Sequence, residues 1–126
     1  EFVGMCFDNG HGNCTNTADP LELARRFQDR IFFVHLSDNV GLQSEDYWED
    51  CPNMTKCDQH KIPFTEDYNW DALISLLAGS PLESPLTLEV SQRDPEDDTF
   101  LARALAAGEE LQSRLDKARS ATLATA

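Results

Sequence analysis

Three short apolar runs constrain this chain more than any other feature. Phe2–Phe7 reads FVGMCF, Ile31–Leu36 reads IFFVHL and Leu86–Val90 reads LTLEV. Each is too short for an ordinary helix and suits a strand. Runs that are apolar at successive positions fit a parallel sheet buried on both faces. Each run also meets one ionisable residue: Asp8 just after the first, His35 inside the second and Glu89 inside the third. A charged group in such a setting is costly unless a cation or hydrogen bonds compensate it.

Helical patterns fill the intervals. Asp19-Pro20 is a cap followed by a first-turn proline, predicting a helix from Pro20 to about Gln28 with Leu21, Leu23 or Ala24, and Phe27 inward. Trp70–Ala78 (WDALISLLA) predicts a second helix. Asp94-Pro95 repeats the start signal and opens a last helix to about Arg119, with Phe100, Leu101, Leu105, Leu111 and Leu115 inward. A frayed Ser-Ala-Thr tail is expected over residues 120–126. The order is strand, helix, strand, long loop, helix, strand, helix. That alternation predicts a parallel α/β arrangement.

Size sets the tension. Three strands cannot close a barrel. The chain has 126 residues, whereas a complete (β/α)8 barrel needs roughly 250. A fold of this class is therefore expected only in part, over residues 1–119, with the loop 39–67 as its least regular segment. A loop that long is usually functional or disordered.

The ends of parallel strands in such a barrel converge on one mouth. Asp8, His35 and Glu89 would then face one another. Two carboxylates and an imidazole suit a divalent cation such as Mn2+, Co2+, Mg2+ or Zn2+. Each residue also has a plainer reading. Asp8 can cap a turn, His35 can be a satisfied core histidine, and Glu89 can pair with Arg93. Four more residues lie close in sequence: His11, Asp38, and the Asp58-Gln-His60 pair, whose side chains can point the same way from an extended segment. Asp58 and His60 can equally belong to a solvated loop. Tyr47, Trp48, Met54, Ile62, Pro63 and Phe64 suggest a lid or subunit contact, or packing back onto the helices.

Composition narrows the partners. Hydrophobic residues at 40% and charged residues at 26% mark a globular chain. A formal charge of −13 repels phosphate backbones, so nucleic acid is an unfavourable partner. No apolar run reaches the length of a membrane span, and the N-terminus lacks signal-peptide character. The four cysteines, Cys6, Cys14, Cys51 and Cys57, form no CxxC pair and fit no common zinc module. Reduced thiols in a cytoplasmic protein are expected, although Cys51 and Cys57 are close enough in sequence to bridge. Asn13-Cys-Thr and Asn53-Met-Thr match the glycosylation pattern, which matters only in a secreted protein. Gly-rich phosphate loops and GxSxG elbows are absent from the sequence.

CFDNGHGN (Cys6–Asn13), DPLELARRFQDRIFFVHLSDN (Asp19–Asn39), Asp58-Gln-His60, Trp70 and PLTLEV (Pro85–Val90) together resemble the sugar phosphate isomerase/epimerase family. That family has the xylose-isomerase-like TIM barrel. It includes D-tagatose 3-epimerase-like enzymes and, more distantly, type IV apurinic endonucleases. The resemblance runs from Val3 to about Leu111 and matches the last three strand–helix units, which implies the C-terminal portion of a (β/α)8 barrel. It implies that Asp8, His35 and Glu89 are metal ligands, with a fourth ligand, a glutamate on the preceding strand, lacking a counterpart here. His11 resembles a substrate-contacting histidine of the epimerases and a metal ligand of the endonucleases. Asp58 and His60 resemble endonuclease ligands. The family's Pro-Gly-x-Gly stretch is replaced by Ile62-Pro63-Phe64-Thr65, a departure at the contacts to phosphate or sugar.

The resemblance implies isomerisation or epimerisation of a sugar or sugar phosphate through a metal-stabilised enediolate, with Glu89 and His11 as catalytic groups. Two other readings compete. One is multi-metal phosphodiester hydrolysis using His11, Asp58 and His60 as extra ligands. The other is an inactive truncated barrel that persists by association, as a homo-oligomer or with a missing N-terminal half.

Overall fold

A computed structural model describes residues 3–15, 19–41 and 57–125. Strand β1 (Met5–Asp8) leads directly into a helix, α1 (Asn9–Thr15). Helix α2 (Glu22–Arg26) and a 3-10 turn precede β2 (Ile31–Leu36). Helix α3 (Trp70–Ala78), the two-residue strand β3 (Thr87–Leu88) and the long helix α4 (Phe100–Thr125) follow. The three strands form one parallel sheet in the order β1-β2-β3. The chain is thus a mixed α/β structure with a small parallel sheet.

The core lies on one side of that sheet. Phe7, Val34 and Leu36 point into it and meet Leu21 and Ala24 of the α2 region, Leu73, Ile74 and Leu77 of α3, and Leu111 and Leu115 of α4. α3 forms because Trp70, Leu73, Ile74 and Leu77 fall on one face at helical spacing. Asn69 caps it, its side chain accepting from the Ala72 N–H at 3.1 Å. Gln28 donates to the Leu76 carbonyl at 2.6 Å and ties the end of α2 to the end of α3.

Several expectations need correction. The segment after Asp8 reads as a loop because of its glycines, yet it is helical. Asp8 caps it: the His11 N–H donates to Asp8 Oδ1 at 2.9 Å. The strands are not buried on both faces. Phe33 is 59% exposed, and Val3, Gly4, Met5, Cys6, Arg30 and Phe32 join it around an open apolar hollow of about 560 Å³. The cause is that α2, α3 and α4 all pack on the face that carries Phe7, Val34 and Leu36. On α4, Leu111 and Leu115 are buried, but Leu101 and Leu105 are exposed and Ala104 and Ala107 turn inward in their place. On α2, Ala24 is inward while Leu23 and Phe27 are exposed. α4 continues through residues read as a frayed tail, reaching Thr125.

Tyr47, Trp48, Cys51, Asn53 and Met54 lie outside the described residues. Ile62 and Pro63 are buried, and Phe64 packs on Trp70 with its ring under the Arg114 guanidinium. Phe64 therefore packs back rather than standing clear. No helix of the described residues is long and apolar enough to cross a membrane.

Candidate metal centre

Register builds the first part of the site. Asp8 pairs with His35 across β1 and β2, and His35 pairs with Thr87 across β2 and β3. Alternation then puts Asp8, His35 and Glu89 on one face. The Glu89 N–H donates to the Leu36 carbonyl at 2.9 Å and extends the ladder past Leu88. His35 Nδ1 lies 3.0 Å from Glu89 Oε2 and 3.9 Å from Asp8 Oδ2. One ligand atom from each of the three residues falls within 4.8 Å of the others. Arg93 does not compete for Glu89; it donates to the Gln59 carbonyl at 3.0 Å.

A second triad adjoins the first. His11, Asp58 and His60 also offer ligand atoms within 4.8 Å of one another. His11 links the two groups. Its Nδ1 is 2.6 Å from Asp8 Oδ2 and its Nε2 is 3.4 Å from Asp58 Oδ2. With a carboxylate at each nitrogen, His11 holds its proton above the ordinary histidine range: burial works against the cation, but Asp8, Asp58 and Glu89 outweigh it. His60 Nε2 is 3.1 Å from Asp58 Oδ1.

The loop that carries Asp58 and His60 is held by backbone and by one buried carboxylate. Asp38 and Lys61 exchange two backbone hydrogen bonds, each 2.8 Å. Asp38, 1% exposed, accepts from the N–H groups of Thr65 and Glu66 at 3.0 Å and from Trp70 Nε1 at 3.4 Å. His60 itself is left-handed, with φ 47°. Strain of that kind in a non-glycine residue is retained where the surroundings enforce it. The His60 carbonyl accepts from Ser91, and its Nδ1 donates to the Glu89 carbonyl at 2.9 Å. That bond requires a proton on Nδ1 and turns Nε2 toward Asp58.

This arrangement fits a cation. Asp58 Oδ1 and Glu89 Oε2 are shut off from solvent and accept no hydrogen bond, although an imidazole stands close to each. Buried acceptors without donors are expensive. A histidine that gives one N–H to a backbone carbonyl and turns the other nitrogen to a carboxylate has the form of a metal-binding imidazole. Asp8, His35 and Glu89 would hold one ion, and His11, Asp58 and His60 have the donor set for another.

Other residues support the site without a clear sequence signal. Asn9 is fully buried and exchanges two hydrogen bonds with the Ser37 backbone, at 2.9 and 3.0 Å. Asn39 accepts from Asn13 at 2.7 Å and donates to the Gly10 carbonyl at 2.9 Å. These amides fasten α1 to the exit of β2. Only the cluster of Asn residues after two strands hinted at them. Burial pushes the Cys14 thiol up, with a hydrogen bond to Cys57 adding to the effect.

Comparison with known proteins places this geometry. A sequence profile for the xylose isomerase-like TIM barrel matches residues 1–116. The chain belongs to that family. An uncharacterized protein, y4fM, from Sinorhizobium fredii (strain NBRC 101917 / NGR234) is 29% identical over 89 residues, which is 71% of this chain and 24% of that protein. This xylose isomerase-like chain therefore spans about a quarter of that relative's length. No solved structure matches. Both isomerases or epimerases and endonucleases share the family, so membership alone leaves the reaction open.

Proposed function

We propose that this chain supplies the C-terminal three strand–helix units of a (β/α)8 barrel whose complete form is a metal-dependent sugar or sugar phosphate isomerase or epimerase. The observation that carries this reading is the sheet triad: Asp8, His35 and Glu89 meet at one end of parallel strands, with Glu89 Oε2 buried and lacking a donor. In a parallel α/β barrel that end is where catalysis sits. A divalent cation bound there would polarise a ketose carbonyl and its neighbouring hydroxyl and supply charge for the enediolate. Mn2+, Co2+, Mg2+ and Zn2+ all suit the donor set. Glu89 is placed to accept the proton alpha to the carbonyl. His11, whose carboxylate neighbours raise its proton affinity above the ordinary histidine range, would donate to a substrate oxygen.

The sheet triad is half open, and among the described residues β1 and β3 form the two edges of the sheet. The chain alone is therefore expected to be inactive. Mixing it with the N-terminal half of its barrel and measuring metal-dependent ketose epimerisation tests the reading. Turnover only in the mixture supports it. Turnover by the chain alone, or none in a folded complex loaded with each of the four metals, overturns it.

A second reading, phosphodiester hydrolysis at a multi-metal site, is favoured by the triad of His11, Asp58 and His60. The net charge of −13 opposes a nucleic-acid substrate. Metal content of the assembled protein as purified decides: several zinc ions per chain favour hydrolysis, and a single Mn2+ or Co2+, with the second triad filled only on titration with excess metal, favours isomerisation.

A further inference from the structure

The segment that carries Asp58 and His60 is held at three successive carbonyls, each from outside the segment. The Lys61 carbonyl accepts from the Asp38 N–H and the His60 carbonyl from the Ser91 N–H, both at 2.8 Å. The Gln59 carbonyl accepts from Arg93, from Nη2 at 3.0 Å and from Nε at 3.3 Å. The first two donors are backbone groups, which any residue but proline supplies. The third is a side chain, so the residue type at position 93 decides it. Arg93 is exposed, and among the described residues no carboxylate pairs with it. Glu89, Ser91 and Arg93 alternate along the exit from β3. They hold, in turn, the His60 ring, the His60 carbonyl and the carbonyl before it.

We propose that Arg93 is a positioning residue of the loop triad: its guanidinium pins the Gln59–His60 peptide plane and so keeps His60 in the left-handed turn that aims Nε2 at Asp58. The Gln59 carbonyl and the His60 N–H belong to one planar peptide unit. The His60 φ of 47° is the rotation of the rest of that residue about its N–Cα bond, relative to this plane. Fixing the carbonyl therefore fixes the reference from which the imidazole is aimed. A residue with a Cβ does not hold such a φ unaided. Released, the peptide turns toward negative φ and carries Nε2 away from Asp58 Oδ1, now 3.1 Å distant. Arginine suits the task because its planar fork sets two N–H groups on one acceptor, whereas lysine offers a compact ammonium without a fork. The inference rests on the reading of His11, Asp58 and His60 as a cation site, and it is independent of which reaction the barrel performs.

Charge and position make opposite demands, which gives the test its sign. Removing a cation near a cation site would by itself tighten metal binding. Releasing the peptide plane weakens it. Co2+ titration of the whole chain, read from visible absorption, compares Arg93→Ala with His60→Ala. The step that His60→Ala weakens is expected to weaken on the order of 10-fold or more in Arg93→Ala, the scale of an outer-shell contact, with an altered spectrum for that step and the other step unmoved. Arg93→Lys keeps the charge and should recover part of the loss. In the metal-free chain the HN–Hα coupling of His60, which reports φ, should change in Arg93→Ala while the unfolding temperature holds. An unchanged or tighter step, an unchanged coupling, or equal weakening of both steps overturns the proposal. If His60→Ala weakens no step, the cation reading of the triad falls and this inference with it. If His60→Ala weakens a step that Arg93→Ala leaves alone, this inference alone falls.

Discussion

The two triads mix imidazole and carboxylate in opposite proportions, two carboxylates with one histidine against two histidines with one carboxylate, and they are built by different means. The sheet triad is set by strand register and stands half open, with the His35 and Glu89 side chains 46% and 41% exposed. The loop triad is set by α1 and a returning segment, and its Asp58 and His60 side chains are only 18% and 21% exposed. Register is cheap: parallel pairing of β1 with β2 aligns Asp8 and His35 without further devices. A loop has no ladder, so it draws on other supports. Here these are the Asp38 carboxylate, the Asp38–Lys61 bridge and the His60–Glu89 bond. The sheet triad therefore depends on whatever lies across its open face, and the loop triad depends on this chain's own buried polar network.

The largest expected effect follows from that dependence. Asp38→Ala takes the acceptor from the part-buried Thr65 and Glu66 N–H groups and from the buried Trp70 indole. The loss is expected to reach about 3 kcal/mol or more. Denaturant unfolding measures it. Asp38→Asn keeps one acceptor and should lose less. In Asp38→Asn the loop triad should weaken for Co2+ while the sheet triad keeps its affinity. Equal weakening of both would abolish the distinction drawn between them.

Direct ligand changes should separate the triads next. His60→Ala and Asp58→Asn should weaken one metal-binding step on the order of 100-fold. Glu89→Gln should weaken the other step and leave the first. Calorimetric titration reads both. A single substitution that removes all binding would mean one shared site bridged by His11. Acid should act on the loop triad through His11. His11 holds its proton above the ordinary histidine range, and only neutral imidazole is a ligand. As pH falls through that raised value, metal affinity at His11, Asp58 and His60 should drop with proton uptake.

The same contrast governs what the sequence made legible. β2 was read at its observed bounds because six apolar-rich residues sit between polar flanks, and α3 because its apolar residues keep helical spacing. The sheet triad followed from strand ends, since register needs only periodicity. The loop triad was reached through Asp58-x-His60 and a family resemblance, without its geometry. His60 bends into φ 47° through contacts with Glu89 and Ser91 about thirty residues away in sequence, which no local pattern encodes. α1 was missed because two glycines mask a helix that Asp8 starts and the Asn9 and Asn39 amides hold. Leu101 and Leu105 were misplaced for a related reason. They are hydrophobic without being buried, and they line a groove with Pro85, Leu86 and Leu88 beside β3.

The smallest effects come from two glycines of opposite character. Gly41 has φ 68°, and a Cβ there would lie 3.1 Å from the Asn13 amide. Its N–H donates to Asn39 Oδ1, the same oxygen that receives Asn13. Gly41→Ala thus strains the backbone and presses on the amide network that seats α1. A loss of about 1 to 2 kcal/mol is expected. Any change in metal affinity should fall on the triad containing His11. Gly108 lies inside α4, where a Cβ would meet the Leu88 side chain, Cδ1 at 3.4 Å and Cγ at 3.9 Å. Gly108→Ala should gain about 0.5 to 1 kcal/mol through helix propensity and leave both triads untouched. Thermal unfolding with and without Co2+ compares the pair. If Gly41→Ala shifts stability alone and leaves Co2+ binding at both triads unchanged, α1 is seated by its Asp8 cap without help from the Asn39 network, and the loop triad rests on fewer supports than proposed.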